Sequence, residues 1–295
     1  MRRVFITGAS SGIGAALALF YARQGAQVAL VGRRAEALQG VLARMRAVEP
    51  PLSSDHARTP VPAPPPISSP VPGTAAKSAR SAGGAPAMPG FHRIYVADVR
   101  DRAALHAAAA DFLSQGPVDI VIASAGISAG TLTEALEDFD VFDAILRTNV
   151  QGTVATFEPF IASMKQRGQG TLVGIASVAG VRGLPGAGAY SASKAAVRTY
   201  CESLRVELRG TGVNVVTIAP GFIRTPMTAN NPYRMPFLML VERFAVGAAR
   251  AIERGASYTV IPWQMGVVAK LLRLVPNRLY DAVAAGRKRK PRQTP

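Results

Sequence analysis

The sequence predicts an α/β fold: one doubly wound parallel sheet of about seven strands with helices on both faces. Three observations carry that expectation. Short β-rich apolar runs recur along the chain, separated by helical patterns of suitable length. The runs are nearly continuous rather than alternating, as strands covered on both faces require. The first run also opens directly into a glycine-rich turn followed by a helix, which is how a βαβ unit begins.

Taken in order, the strand candidates are 2–8 (RRVFITG), 27–33 (QVALVGR), 92–99 (HRIYVADV) and 118–126 (VDIVIASAG). Then come 170–177 (GTLVGIAS), 212–220 (GVNVVTIAP) and 257–262 (SYTVIP). Residues 1–48 and 91–262 read as a single domain, with ligands expected at the carboxyl ends of the strands. Residues 49–90 break the rhythm: they hold half of the chain's 22 prolines and few large apolar residues. Proline fixes φ and removes a donor, so this segment reads as a disordered, polyproline-like insertion between the second helix and the third strand. Residues 263–295 read as an amphipathic, basic extension. Val267, Val268, Leu271, Leu272 and Val275 recur at helical spacing, with Lys270 and Arg273 between them, and the run ends in GRKRKPRQTP. Such a segment suits peripheral contact with an anionic membrane surface, or packing on the domain or a second subunit.

At 295 residues the chain can bury a sizeable core. Its 34 Lys+Arg against 18 Asp+Glu give a formal net charge of +16, which points to an anionic partner. Nucleic acid is not the expected one, because no reading module or base-stacking aromatic cluster accompanies the charge. The single cysteine, Cys201, excludes an internal disulfide and reads as helix packing, compatible with a reducing cytoplasm. The apolar start is broken at once by glycine and serine, so it does not read as a signal peptide, and no run is long enough to suggest a membrane span. No metal site is expected.

The turn after the first strand reads TGASSGIG, with Gly8, Gly12 and Gly14. Glycine there lets backbone approach a pyrophosphate closely, and the helix start presents N–H groups to an anion. At the end of the second strand, dinucleotide sites that take NAD keep an acid for the ribose 2′-hydroxyl. Here Gly32 stands in its place, followed by Arg33 and Arg34, and a guanidinium fork suits a 2′-phosphate. NADP(H) is therefore expected over NAD(H), with Ser10 or Ser11 adding hydroxyl contacts. Asp98, ending the third strand, reads either as an acceptor for the adenine amino group or as a helix N-cap.

GAYSASKAAV places Tyr190 four residues before Lys194, one helical turn apart on one face. With a nicotinamide cofactor present, a phenol can serve as general acid for a carbonyl, but its ordinary pKa of about 10 must fall. A neighbouring ammonium stabilises phenolate. Ser177, thirteen positions upstream at a strand end, could hydrogen-bond the substrate oxygen.

These motifs resemble the short-chain dehydrogenase/reductase family, with its Rossmann-type sheet, over essentially the whole span except the insertion and the tail. TGASSGIG resembles the family's glycine motif and YSASK its Tyr-x-x-x-Lys motif, with Ser177 at the usual spacing. Asn149 in LRTNVQG resembles the asparagine that completes a catalytic tetrad. Pro220, Gly221, Ile223 and Thr225 in APGFIRT resemble the segment that contacts the nicotinamide carboxamide. The resemblance implies a ketone–alcohol oxidoreductase in which Tyr190 is acid/base and Lys194 lowers its pKa and holds the nicotinamide ribose. Ser177 would orient the carbonyl and Asn149 would hold a water linked to the lysine. Cofactor contacts would comprise Thr7, Gly8, Ser10, Ser11, Gly12, Ile13 and Gly14 at the turn and Arg33, Arg34, Asp98 and Val99 beside it. Ser124, Ala125 and Gly126, with Tyr190 and Lys194, would complete the set. Ser124 departs from the family's usual Asn-Ala-Gly, which puts local support of the central sheet in doubt. The family also implies a homo-oligomer.

The region after Thr225 occupies the place of a substrate lid, and Met235, Phe237, Leu238, Met239 and Leu240 make it apolar. A hydrophobic ketone or alcohol is the expected substrate, with a lipid-type keto compound at a membrane surface as one variant. A non-catalytic NADP-binding sensor or scaffold is the alternative, which the complete tetrad argues against. The expected location is the cytoplasm, including the inner membrane surface.

Overall fold

A computed structural model describes residues 1–48, 92–286 and 289–292. The expected insertion at 49–90 lies outside the described residues.

Among the described residues the strands run in chain order: β1 (Arg3–Thr7), β2 (Gln27–Gly32), β3 (Arg93–Val96), β4 (Ile120–Ala123), β5 (Gly170–Ile175), β6 (Val213–Pro220), β7 (Ile223–Arg224), β8 (Met239–Leu240) and β9 (Tyr258–Ile261). The helices are α1 (Gly12–Arg23), α2 (Ala35–Val48), α3 (Arg102–Ser114), α4 (Asp138–Leu146) and α5 (Gly152–Arg167). They continue with α6 (Gly188–Glu207), α7 (Pro226–Ala229), α8 (Val241–Glu253), α9 (Trp263–Leu274) and α10 (Asn277–Ala284). Seven strands form one parallel sheet in the order β3-β2-β1-β4-β5-β6-β9, which is the doubly wound Rossmann-type arrangement. β7 and β8 form a separate two-stranded parallel pair at the start of the lid region, which the sequence patterns do not signal.

Alternation along each strand builds the two faces. Val4, Ile6, Val28, Leu30, Ile122 and Ile218 face one layer, where α1, α2 and α8 pack. Phe5, Ala29, Val31, Val121, Leu172 and Val215 face the other, against α3, α5 and α6. Because both faces are apolar, the strand sequences show no period-2 pattern.

All seven expected strands are present, but β3 and β4 stop three residues before the end of their apolar runs. β3 ends at Val96 and β4 at Ala123, and the residues that follow, Ala97–Val99 and Ser124–Gly126, leave the sheet to line a cleft. The cap of α3 is Asp101, whose carboxylate accepts from the Ala104 N–H at 3.0 Å, so Asp98 is free of the N-cap role. α5 ends at Gly168, which takes a left-handed φ of 67° to close the helix.

At the amino ends of the strands, Arg3 is a buried hub. Its guanidinium donates to Gln27 Oε1 at 2.7 Å, to the Phe112 carbonyl at 2.6 Å and to the Gly116 carbonyl, and it lies 4.0 Å from the Phe112 ring centre. Its backbone N–H donates to Asp119 Oδ2 at 2.8 Å. The side chain thus ties β1 and β2 to the last carbonyls of α3, where a cation is favourable. Val48, which closes α2, and His92, which accepts from the Val28 N–H at 3.1 Å, also lie at this pole.

One face of the expected tail packs on the domain. Met265 and Ala269 of α9 are buried, and Arg182 donates to the Leu272 and Val275 carbonyls at 3.1 and 2.9 Å. Its guanidinium lies 4.2 Å from the Tyr280 ring centre. The other face is open: Trp263, Val267, Leu271 and Leu274 are exposed. Among the described residues, no helix is long and apolar enough to cross a membrane.

Replacing Arg3 with Met strands several buried acceptors at once. Urea unfolding should show a loss of roughly 2–3 kcal/mol, with the transition still two-state.

Candidate active site

The site begins where β1 runs out. Gly8 has φ 69°, and a β-carbon there would sit 2.6 Å from the backbone N and Cα of Ala125. At Gly14 it would lie 2.3 Å from the Gly8 carbonyl oxygen. Only glycine allows this turn to press against the end of β4 while α1 starts beside it. The Ser11 side chain makes no capping bond, so the first turn of α1 keeps its donors for the cleft. Gly8, Ser10, Ser11, Gly12, Ile13 and Gly14 all line that cleft. Thr7 does not: it is wholly buried beneath the turn, its hydroxyl directed at the Ile122 carbonyl and Thr156, both 3.4 Å away.

At the end of β2, Arg33 and Arg34 line the cleft and are exposed. Arg34 donates to both Ser10 Oγ and Ser11 Oγ at 3.3 Å, gathering a guanidinium and two hydroxyls into one cationic corner. The nearby acid, Asp98, is already held by Arg100, whose Nη2 lies 2.7 Å from Oδ2, with Arg33 at 3.8 Å. Those bonds, chiefly the one from Arg100, keep its carboxyl below the ordinary range. This donor set fits a dinucleotide phosphate: bare helix N–H groups, a glycine cradle and paired arginines. Asp98 and Val99 line the same corner.

The other end of the cleft gathers Ser177, Tyr190 and Lys194, with Ser124, Ala125 and Gly126 on one wall. Pro220, Gly221, Ile223 and Thr225 form another. The Ser177 Oγ accepts from the Ala179 N–H at 3.1 Å and stands on the same wall of the cleft as Tyr190. Burial pushes the phenol up from its ordinary value, and the neighbouring Ser177 hydroxyl opposes that rise. Lys194 is 6% exposed, so the ammonium is out of water. Burial brings it down to about 8. Its Nζ donates to the Ile175 carbonyl at 2.8 Å and sits 5.9 Å from the Tyr190 ring centre.

Asn149 lies behind this group rather than in the cleft. It is fully buried in a π-helical turn, Arg147–Gln151, a local widening common at functional sites. Its Oδ1 accepts from the Ile127 N–H at 2.8 Å, and its Nδ2 donates to the Ile127 carbonyl at 3.0 Å and to Ser193 Oγ at 2.9 Å. Ser193 Oγ donates in turn to the Tyr190 carbonyl at 2.8 Å. Ser193 was legible only as a letter inside YSASK; its bridge from Asn149 to the tyrosine's own turn is visible in three dimensions alone. Cys201 is buried, with its thiol pushed up to about 11 by burial, as a packing residue should be. Among the described residues no group of ligating side chains could hold a metal.

Comparison with known proteins identifies the family. The chain matches the family model described as short chain dehydrogenase over residues 2–54 and 76–235. It is 36% identical over 283 residues to an uncharacterized oxidoreductase of Myxococcus xanthus, covering 96% of each chain. It is 31% identical over 282 residues to an uncharacterized oxidoreductase of Mycobacterium tuberculosis, covering 94% of this chain and 95% of that one. Among solved structures, levodione reductase superposes with a TM-score of 0.69 at 24% identity, over 90% of this chain and 98% of its own, a likeness of fold. The chain belongs to the short-chain dehydrogenase family, and is an NAD(P)-dependent oxidoreductase acting on a small molecule.

Proposed function

We propose that the chain is an NADPH-dependent reductase of an apolar ketone, with Tyr190 as the proton donor. The observation that carries the reading is the convergence of Ser177, Tyr190 and Lys194 at one end of a cleft whose other end is cationic. When bound, the nicotinamide supplies the hydride for the carbonyl carbon. Ser177 orients the carbonyl oxygen through its hydroxyl, and Tyr190 delivers its proton to that oxygen as charge develops. Burial raises the phenol's pKa, so phenolate needs a cation, and Lys194 is the buried one on its face. Asn149 acts by position: it fixes the Ile127 loop and, through Ser193, the first turn of α6.

The preference for NADPH rests on Arg34, Ser10 and Ser11 in one corner, Arg33 beside them and Gly32 where an acid would repel a 2′-phosphate. The apolar substrate rests on the lid. Phe237, Leu238 and Leu240 are exposed there, and Met227 lines the cleft. Met239, by contrast, packs on the core beside Ile223. The open face of α9, flanked by Lys270 and Arg273, supports a second element of the proposal, peripheral contact with an anionic bilayer.

Four measurements test this reading. Tyr190→Phe should lower kcat for ketone reduction by roughly 100-fold or more while NADPH still binds. In the unmutated chain kcat/KM for reduction should be level at lower pH and decline as pH rises through about 8, where Lys194 loses its proton. Arg33→Ala with Arg34→Ala should weaken NADPH binding by roughly 10-fold or more and NADH binding much less, since charged hydrogen bonds to a phosphate are lost. Equal weakening would remove the 2′-phosphate role. Finally, Leu271→Glu with Leu274→Glu should abolish co-sedimentation with phosphatidylglycerol vesicles and leave solution turnover of a short ketone in place.

A further inference from the structure

The segment Arg289–Arg292 crosses the substrate end of the site. Its backbone joins the loop after β4: the Gly130 N–H donates to the Pro291 carbonyl at 2.9 Å, and Gly130 bridges Arg292 in parallel. The same loop is bridged on its other side by Ala187, just before α6 and Tyr190. Arg292 anchors the segment. Its Nε donates to Asp138 Oδ2 at 2.8 Å, and its Nη2 lies 2.6 Å from Glu137 Oε1. Asp138 is nearly fully buried and also accepts from the Leu132 N–H at 2.7 Å, so this anchor is part of the fold. A β-carbon at Gly186 would lie 2.9 Å from Arg289 Cβ, so the segment passes close against the α6 entrance.

The outcome of this anchoring is the placement of Lys290. Its Nζ sits 5.9 Å from the Tyr190 ring centre, as Lys194 does, and donates to Ser128 Oγ at 2.8 Å. Lys290 is half-buried, and among the described residues it forms no ion pair with a carboxylate. An ammonium has three donors, and Ser128 takes one. A cation partly withdrawn from water beside a catalytic group gains most from an anion that arrives with the substrate.

We infer that Lys290 is a specificity-determining residue that receives a compact anionic group, carboxylate or phosphate, on the carbonyl substrate. The inference rests on the reductase reading and deepens it: the substrate is an amphiphile, with its apolar part under the lid and its anion at Lys290. Arg292 and Asp138 are positioning residues, because they hold the segment without touching the reacting atoms.

The test compares benzoylformate, its methyl ester and phenacyl phosphate. Steady-state reduction with NADPH gives kcat/KM for each, and calorimetry gives the binding of each to the NADPH complex. In the unmutated chain the anions should be favoured over the ester. The anion-to-ester ratio should fall roughly 10-fold or more in Lys290→Met, mainly through KM, as expected for losing a charged hydrogen bond. Lys290→Arg should keep much of it. Arg292→Gln should lower the same ratio by releasing the segment, with the thermal midpoint reporting that the variant is folded. A larger fall for phenacyl phosphate than for benzoylformate assigns phosphate as the group, and the reverse assigns carboxylate. A ratio near one in the unmutated chain, or an unchanged ratio in folded Lys290→Met, overturns the inference. The binding arm reads anion preference whether or not Tyr190 is the acid, so failure here and failure of the proposed chemistry are distinguishable.

Discussion

The contact between Gly8 and the Ser124–Ala125 peptide governs the whole site. Two adjacent parallel strands, β1 and β4, end side by side, and their exits touch with no room for a single carbon between them. From that contact the rest follows in sequence. The β4 exit is pinned, so Gly126 lies where a β-carbon would be 3.2 Å from Asn149 Oδ1 and 3.4 Å from Lys194 Nζ. Asn149 then clamps Ile127 and reaches Ser193, which holds the carbonyl of Tyr190. A phosphate cradle and a candidate proton donor, far apart in sequence, thereby share one rigid frame, the kind of preorganisation that catalysis requires.

Charge along the cleft is graded rather than uniform. Exposed arginines mark one end, a buried lysine lies at the other, and a half-buried lysine stands 5.9 Å from the Tyr190 ring centre. Part of the net charge of +16 is thus concentrated on one functional surface, while other arginines are spent on structure, as at Arg3 and Arg182. Burying Lys194 opposes its charged form, and a single carbonyl, that of Ile175, compensates it. A cation held this way is easily tuned, which suits a residue whose neighbour must change protonation state.

Much of this was legible in the sequence, for definite reasons. Strands buried on both faces announce themselves as apolar runs, and glycines at forced positions announce a close approach. Tyr190, Lys194 and Ser177 were legible because motif spacing maps onto one helix face and one strand end. Other features were hidden because they depend on contacts across the fold. Thr7 belongs to the glycine motif, yet its side chain turns into the core. Asp98 reads in sequence as an adenine acceptor or a helix cap, and only the helix start at Arg102 shows that the cap is Asp101. Ser124, the departure from the usual asparagine, lines the cleft, and its carbonyl carbon lies close against Gly8. Lys290 read as one basic letter in a charged tail; its place over Tyr190 depends on a bridge to Gly130, 160 residues earlier in the chain by numbering, about which local pattern is silent.

The residues on either side of the proline-rich stretch lie at the pole opposite this chemistry. Val48 and His92 both sit at the amino ends of the strands, and β3 is an edge strand with the cleft at its other tip. Loop closure grows only slowly in entropic cost with length, so extra residues at this pole weigh little on the fold. The two poles therefore differ in what they tolerate. At one, a change of chain length weighs little on the fold, while at the other a single added carbon, at Gly8 or Gly14, has nowhere to go.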